Sequence, residues 1–168
     1  MIKYFDIENC KRVVFPFIQD ELTDIEPCPP YESEQAGMQA LETVLTLMRN
    51  NDYYPTLSKK AAYLVCAIAG AQHFTNGNKR LSVALLLLFL AMNEVKIPTL
   101  NQGTFKRALL TVFPLCSWEE SSDIRSAHPL FLYNLAKVIG DPSRWIRPDF
   151  NHLKERVGLL FSVLYEQD

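Results

Sequence analysis

The chain has 168 residues, about the length of one domain, with 48% apolar residues and a formal charge of −2. A sequence pI of about 5.9 argues against nonspecific nucleic-acid binding, because such binding needs a basic face. No apolar core of signal-peptide length stands near the N-terminus. The four cysteines, Cys10, Cys28, Cys66 and Cys116, do not have the spacing of a zinc site. We therefore expect a reduced, cytoplasmic protein.

The first third of the sequence predicts two helices separated by a proline-rich loop. Apolar residues recur at helical spacing within residues 6–22, although Pro16 is expected to kink or break that helix. Residues 24–33 (DIEPCPPYES) contain three prolines and predict a loop. A second helix is predicted over about residues 34–49, where apolar side chains fall on one side.

Two helices with almost no polar surface follow in the middle of the chain. A connection over residues 50–56 leads to the first, predicted over about 59–72 with Ser58 as its N-cap. The second is predicted over about 79–95 and is too short to span a bilayer, so no membrane segment is expected. Helices apolar on all sides should lie at the centre of the fold, and the loop between them is then held by two rigid elements.

The remaining sequence predicts amphipathic helices over about residues 101–112, 123–140 and 149–167. No alternating strand pattern extends beyond a few residues, so the predicted fold class is all-α. We interpret residues 1–168 as a single domain, with 115–168 as a C-terminal helical extension whose role the sequence leaves open.

The loop QHFTNGNKR, residues 72–80, has the chemistry of an anion site. Gly77 can adopt positive φ, and the following helix begins with free backbone N–H groups at the positive end of its dipole. Lys79 and Arg80 add two positive charges, and Phe74 would anchor the loop in the core. The alternative is that one helix simply ends here and the next begins, with the two cations exposed to solvent at the helix end.

This loop resembles the motif H-x-F-x-[DEN]-[GA]-N-[GK]-R of the Fic/Doc family. Six of its seven positions match: Phe74, Asn76, Gly77, Asn78, Lys79 and Arg80. The flanking helices are similar as well, so the resemblance is best over residues 34–97. It implies an all-α Fic-type domain with two central buried helices around the motif loop and a short β-hairpin flap.

The resemblance also implies ligands and partners. Gly77, Asn78, Lys79 and Arg80 would hold the phosphates of ATP or another nucleoside triphosphate, and Asn76 would be a weak ligand for Mg²⁺. The implied reaction is phosphoryl or adenylyl transfer to a protein hydroxyl, and lysine at position 79 favours Doc-like phosphorylation. Doc-like proteins act as toxins held by an antitoxin or another inhibitory partner. No nucleic-acid or membrane partner is expected.

The sequence departs from the family at the catalytic histidine, where it has Gln72. In the family that histidine takes the proton from the target hydroxyl, and a glutamine amide has no basic site near neutral pH. His73 lies one residue later, a rotation of about 100° on a helix, and needs a local shift to replace it. Three hypotheses remain: an impaired transferase, a pseudoenzyme that senses nucleotide or binds protein, and a helical interaction domain without nucleotide.

Two further family features have weaker matches. Tyr53, Tyr54 and Thr56 stand where a flap would pair with the target as an extra strand, and a plain connector explains them equally well. The run SVLYEQ places Ser162, Glu166 and Gln167 in a partial match to the inhibitory-helix motif [ST]-x-x-x-E-[GN]; a solvated helix end is the alternative. His128 and His152 have no partner visible in the sequence and are interpreted as structural.

Overall fold

A computed structural model describes residues 1–22, 29–120, 124–141 and 149–166. Every regular element in these ranges is helical, which confirms the all-α prediction; the α-helices are α1 (Ile7–Asn9), α2 (Phe15–Glu21), α3 (Gln35–Leu47), α4 (Leu57–Ala69), α5 (Asn78–Met92), α6 (Gln102–Val112), α7 (Ala127–Gly140) and α8 (Phe150–Tyr165). None of these helices has the length and apolarity to cross a membrane. Cys28, Asp123, Gln167 and positions 24–28 of the predicted loop lie outside the described ranges.

Pro16 does not break the first helical segment. A π-helical turn, Cys10–Val14, joins α1 to α2, and Pro16 falls in the first turn of α2. The N–H of Phe15 donates to the carbonyl of Cys10, five residues back, so the backbone is wider there than in an α-helix. This wider turn makes room for a proline ring that would crowd the carbonyl four residues earlier, and the helix continues.

The two apolar helices lie at the centre, as predicted. Helix α4 is buried along nearly its whole length, and α5 is buried from Arg80 to Leu86. Helices α3, α5, α7 and α8 all pack on α4, while α2 and α7 also pack on α5. Helices that lack a polar face need such coverage on all sides, and the C-terminal helices α7 and α8 supply much of it.

The N-cap of α4 is Thr56, so the prediction of Ser58 was wrong by two residues. The Thr56 side chain accepts a hydrogen bond from the N–H of Lys59. Ser58 lies inside the helix and is buried, and its hydroxyl has no hydrogen-bond partner among the described residues. Both residue types cap helices, and the extended backbone of Thr56 decides which one does.

A buried lysine, Lys60, holds the C-terminal end of α3, and the hairpin expected before α4 is not formed. Lys60 has no exposed surface, and its Nζ donates to the carbonyl oxygens of Met48, at 3.0 Å, and Asn50, at 3.5 Å. These carbonyls belong to the C-terminal end of α3 and the turn that follows it, where a helix leaves acceptors without internal partners. Residues 50–56 form this turn and contain no strand.

Candidate anion-binding site

The loop between α4 and α5 turns at Gly77. This residue is the N-cap of α5 and has φ of 76°, in the left-handed region that favours glycine. A Cβ at this position would lie 2.4 Å from the hydroxyl of Tyr31 and 2.6 Å from the Pro29 ring. The Tyr31 hydroxyl donates to the Gly77 carbonyl at 2.8 Å. Backbone conformation and lack of space therefore both require glycine here.

Phe74 holds the middle of the loop in the core. Its side chain is 1% exposed and packs edge-on against Tyr31, with ring centroids 5.0 Å apart. Its ring also lies against Gly37 of α3, where a Cβ would be 2.5 Å away. The Asn78 amide, at the start of α5, makes two hydrogen bonds to the Phe74 backbone. The loop is thus closed on itself and fixed to α3.

A second tie to α3 comes from Glu34, which the sequence did not indicate. One carboxylate oxygen of Glu34 accepts both the backbone N–H of Thr75, at 2.8 Å, and its hydroxyl, at 2.6 Å. These two hydrogen bonds lower the pKa of the Glu34 carboxyl. The ionised carboxylate therefore orders the residue just before Asn76.

A cavity of about 210 Å³ opens beside this loop. The predicted site residues Gln72, Asn76, Gly77, Asn78, Lys79 and Arg80 all line it, together with Ala69, Ala71, Thr75, Tyr133 and Gly140. The N-cap of α5, Gly77, makes no side-chain capping bond, and the residues whose N–H groups begin the helix line the cavity. The positive end of the helix dipole points to the same place.

Two cations of α5 add formal charge to this wall. Arg80 is 6% exposed, and its Nη1 donates to the carbonyl of Leu22 at 3.2 Å. Lys79 is half-buried, and its Cε would lie 3.1 Å from a Cβ added at Gly140. The lysine stem therefore runs beside the C-terminal end of α7. The amides of a helix N-terminus, the helix dipole and two cations together favour an oxyanion such as phosphate.

Helix α7 also contributes to the wall of the cavity, which the sequence did not predict. Gly140 brings the ends of α7 and α4 together, because a Cβ there would be 2.9 Å from the Ala69 carbonyl oxygen. The ring of Tyr133 lines the cavity, and the Nζ of Lys137 lies 5.4 Å from its centroid. Only tertiary packing brings these residues to the loop, since they lie far from it in sequence.

None of the described histidines lines the cavity. Gln72 is exposed on the lining, while its neighbour His73 is partly buried and lies off it. His128 is buried against Tyr165, with its Nε2 2.7 Å from the tyrosine hydroxyl, and burial lowers its pKa to about 4. His152 lies on α8 with its Nδ1 4.0 Å from the Glu155 carboxylate. No described histidine is therefore placed to act as a base in this cavity.

The predicted flap residues lie at the wrong end of α4. Thr56 caps the N-terminus of α4, whereas the cavity is at its C-terminus, about 20 Å away at 1.5 Å per residue. Tyr54 stacks on Tyr63 with centroids 4.4 Å apart, and Tyr53 is 75% exposed. These residues hold the start of α4 and form no flap over the cavity.

Glu166 is placed at the same distant end. Its carboxylate accepts the N–H of Ser58 at 3.1 Å, so it helps to cap α4. Ser162 donates to the carbonyl of Leu159 within α8. An inhibitory pair between Glu166 and Arg80 is therefore not formed, and Gln167 of the same motif lies outside the described residues.

Comparison with known proteins finds one family, over a region that includes this loop. The model of the Fic/DOC family matches residues 8–90, which include the whole loop and most of α5. The match begins well before residue 34, so it also takes in most of α1 and the whole of α2. No curated protein and no solved structure matches the chain.

Proposed function

We propose that this chain, whose residues 8–90 belong to the Fic/DOC family, binds the phosphates of a nucleoside triphosphate such as ATP. The observation that carries the proposal is the cavity that the motif residues share at the start of α5. Its volume of about 210 Å³ is below the roughly 300–1,000 Å³ of pockets that enclose a whole small molecule. It suits the phosphate groups, with the nucleoside lying outside.

The proposed reaction is phosphoryl or adenylyl transfer to a Ser, Thr or Tyr hydroxyl of a target protein. The hydroxyl oxygen bonds to the γ- or α-phosphorus, and a nucleoside diphosphate or pyrophosphate leaves. Lys79, Arg80 and the N-terminus of α5 would stabilise the negative charge of the phosphates. The lysine at position 79 favours phosphoryl transfer, because its bulk changes how the nucleotide can lie.

The missing base makes this reaction slow. The hydroxyl must lose a proton, and the Gln72 amide at the family's histidine position cannot accept one. Loss of a general base costs roughly 10²- to 10⁴-fold in rate. Positioning and charge neutralisation carry much of phosphoryl transfer, so residual activity is compatible with Gln72.

Gln72 also favours a second function, that of a pseudoenzyme. In this alternative the loop binds nucleotide, no transfer follows, and the occupied site controls the binding of a protein, such as an antitoxin or another inhibitory partner. The hydrogen bonds that hold the loop at Phe74, Thr75 and Gly77 do not involve Gln72. Binding can therefore persist without the base.

Label transfer separates the two functions. ATP labelled at the α or γ position is incubated with cell lysate and the natural chain, Gln72→His, Gln72→Ala or His73→Ala. Transfer by the natural chain supports the slow enzyme, and the labelled position distinguishes adenylylation from phosphorylation. Transfer by Gln72→His alone supports the pseudoenzyme, and loss of activity in His73→Ala would assign the base to His73. If no variant transfers label and none binds ATP in calorimetry, the nucleotide proposal is wrong.

A further inference from the structure

The described lining of the cavity carries positive charge and no carboxylate. Its side-chain oxygens are neutral and belong to Gln72, Thr75, Asn76, Asn78 and Tyr133, whereas its charged groups are Lys79 and Arg80. No group of three His, Cys, Asp or Glu side chains that could hold a metal occurs in the described residues. Mg²⁺ in phosphate sites prefers one or two carboxylates beside the phosphate oxygens.

Hydrogen bonds within and beside the loop already orient its neutral side-chain oxygens. Asn76 accepts the N–H of Gly77 through its Oδ1 at 2.7 Å, and the Thr75 hydroxyl donates to Glu34. The Asn78 amide is occupied by the Phe74 backbone. Asn76, the residue at the family's metal position, therefore points its oxygen back into the turn.

Glu34 is a carboxylate that hydrogen-bonds to a residue of this lining, Thr75. It is not itself part of the lining, and its Oε1 accepts both donors of Thr75. Its role is to anchor the loop to α3. The described lining thus does not fit a Mg²⁺ site.

Lys79 and Arg80 bring positive charge to the wall of the cavity. Both lie in the first turn of α5, beside the amides proposed to hold the phosphates. The Lys79 stem lies against α7 at Gly140, and Arg80 is held by the Leu22 carbonyl. The ammonium group of Lys79 would repel a divalent cation that entered here.

We propose that the phosphate chain binds this cavity without a divalent cation, with Lys79 and Arg80 neutralising its charge. The inference rests on the proposed function, because it concerns the ligand of the same cavity. It differs from what the family resemblance implies, which is a metal bound at position 76.

Calorimetric titration of the full chain with inorganic tripolyphosphate, in EDTA and in Mg²⁺, tests the inference. We expect binding in EDTA to be at least as tight as in Mg²⁺. Lys79→Met retains the alkyl contact with Gly140 and should weaken binding in EDTA by about tenfold, the loss of one charge-assisted bond. Lys59→Met, at the exposed far end of α4, is the matched control and should leave the affinity unchanged.

Asn76→Asp gives a positive control for metal dependence. The added carboxylate should weaken binding in EDTA and make Mg²⁺ strengthen it. If the natural chain binds only in Mg²⁺, the inference is wrong while the proposed function stands, and Glu34→Gln would then show whether Glu34 is a ligand. If tripolyphosphate binds under neither condition, the phosphate site itself is wrong.

Discussion

The side-chain amide of Asn78 holds the backbone of Phe74 at both of its polar groups. Its Oδ1 accepts the Phe74 N–H at 3.1 Å, and its Nδ2 donates to the Phe74 carbonyl at 2.8 Å. A residue in the first turn of α5 therefore shapes the loop that leads into it. The same contact satisfies two backbone groups that would otherwise lack partners in a partly buried place.

We predict that Asn78→Ala loosens the loop and weakens tripolyphosphate binding by about tenfold, with a loss of about 1–3 kcal/mol in stability. Calorimetry measures the first effect and urea unfolding the second. Asn93→Ala is the matched control, because Asn93 bonds to the carbonyl of Phe89 at the other end of α5. Asn93→Ala should lower the free energy of unfolding and leave the affinity for tripolyphosphate unchanged. Unchanged affinity in Asn78→Ala would contradict the role of this amide.

We predict that Gly77→Ala destabilises the protein by about 2 kcal/mol or more. Left-handed backbone costs an L-residue about 1–2 kcal/mol, and the new Cβ would also clash with the Tyr31 hydroxyl and with Pro29. Gly103→Ala is the control: its Cβ would meet nothing closer than 3.4 Å, so its stability should be unchanged or slightly raised. Chemical unfolding of both variants gives the comparison. If Gly77→Ala and Gly103→Ala have the same free energy of unfolding, the loop can adopt another backbone conformation at position 77.

The features that the sequence predicted correctly are local ones. Helices α4 and α5 have apolar residues on every side, and burial is the only way to remove such surfaces from water. Gly77 is followed at once by a helix and two cations, so turn, amides and charge are neighbours in sequence. The composition of a short segment was enough to place this candidate site on a loop between two buried helices.

The features that the sequence did not predict depend on distant parts of the chain. Gly140 and Tyr133 reach the cavity only because α7 packs on α5. Lys60 follows Lys59 and looks identical to it, yet only the helical rotation between them decides which one is buried. Of the two interpretations of residues 53–56, the plain connector fits the structure, because Thr56 caps α4 a full helix length from the cavity.

We predict that Lys60→Met lowers the free energy of unfolding by about 1–3 kcal/mol. The variant keeps most of the apolar stem, but the carbonyls of Met48 and Asn50 lose the Nζ donor. Lys59→Met is the control, because Lys59 is exposed, and it should change stability by less than about 0.5 kcal/mol. The midpoints of urea unfolding measure both. If Lys60→Met leaves the free energy of unfolding unchanged, water replaces the ammonium group as the donor to these carbonyls.

We predict that stability falls as the pH drops from about 6.5 to about 4, because of His128. Burial lowers its pKa to about 4, so in this window the unfolded chain binds a proton that the folded chain does not. The loss approaches about 3 kcal/mol, at about 1.4 kcal/mol per pKa unit. His128→Gln keeps a partner for Tyr165 and should show a smaller slope between these pH values. His152→Gln, the same change at an exposed histidine, is the control for the substitution itself. If stability falls as steeply with pH in His128→Gln as in the natural chain, the prediction is wrong.

Glu166 provides a test of whether the C-terminal helix inhibits the site. Its carboxylate caps the far end of α4 through the Ser58 N–H at 3.1 Å, so we predict that Glu166→Ala costs about 1 kcal/mol of stability. Because that end lies about 20 Å from the cavity, tripolyphosphate affinity and label transfer should stay at the natural level. Glu155→Ala, an exposed change on the same helix, controls for the lost charge and should leave both stability and affinity unchanged. A gain in affinity or transfer in Glu166→Ala alone would mean that this glutamate reaches Arg80 in another conformation, and α8 would then be an inhibitory helix.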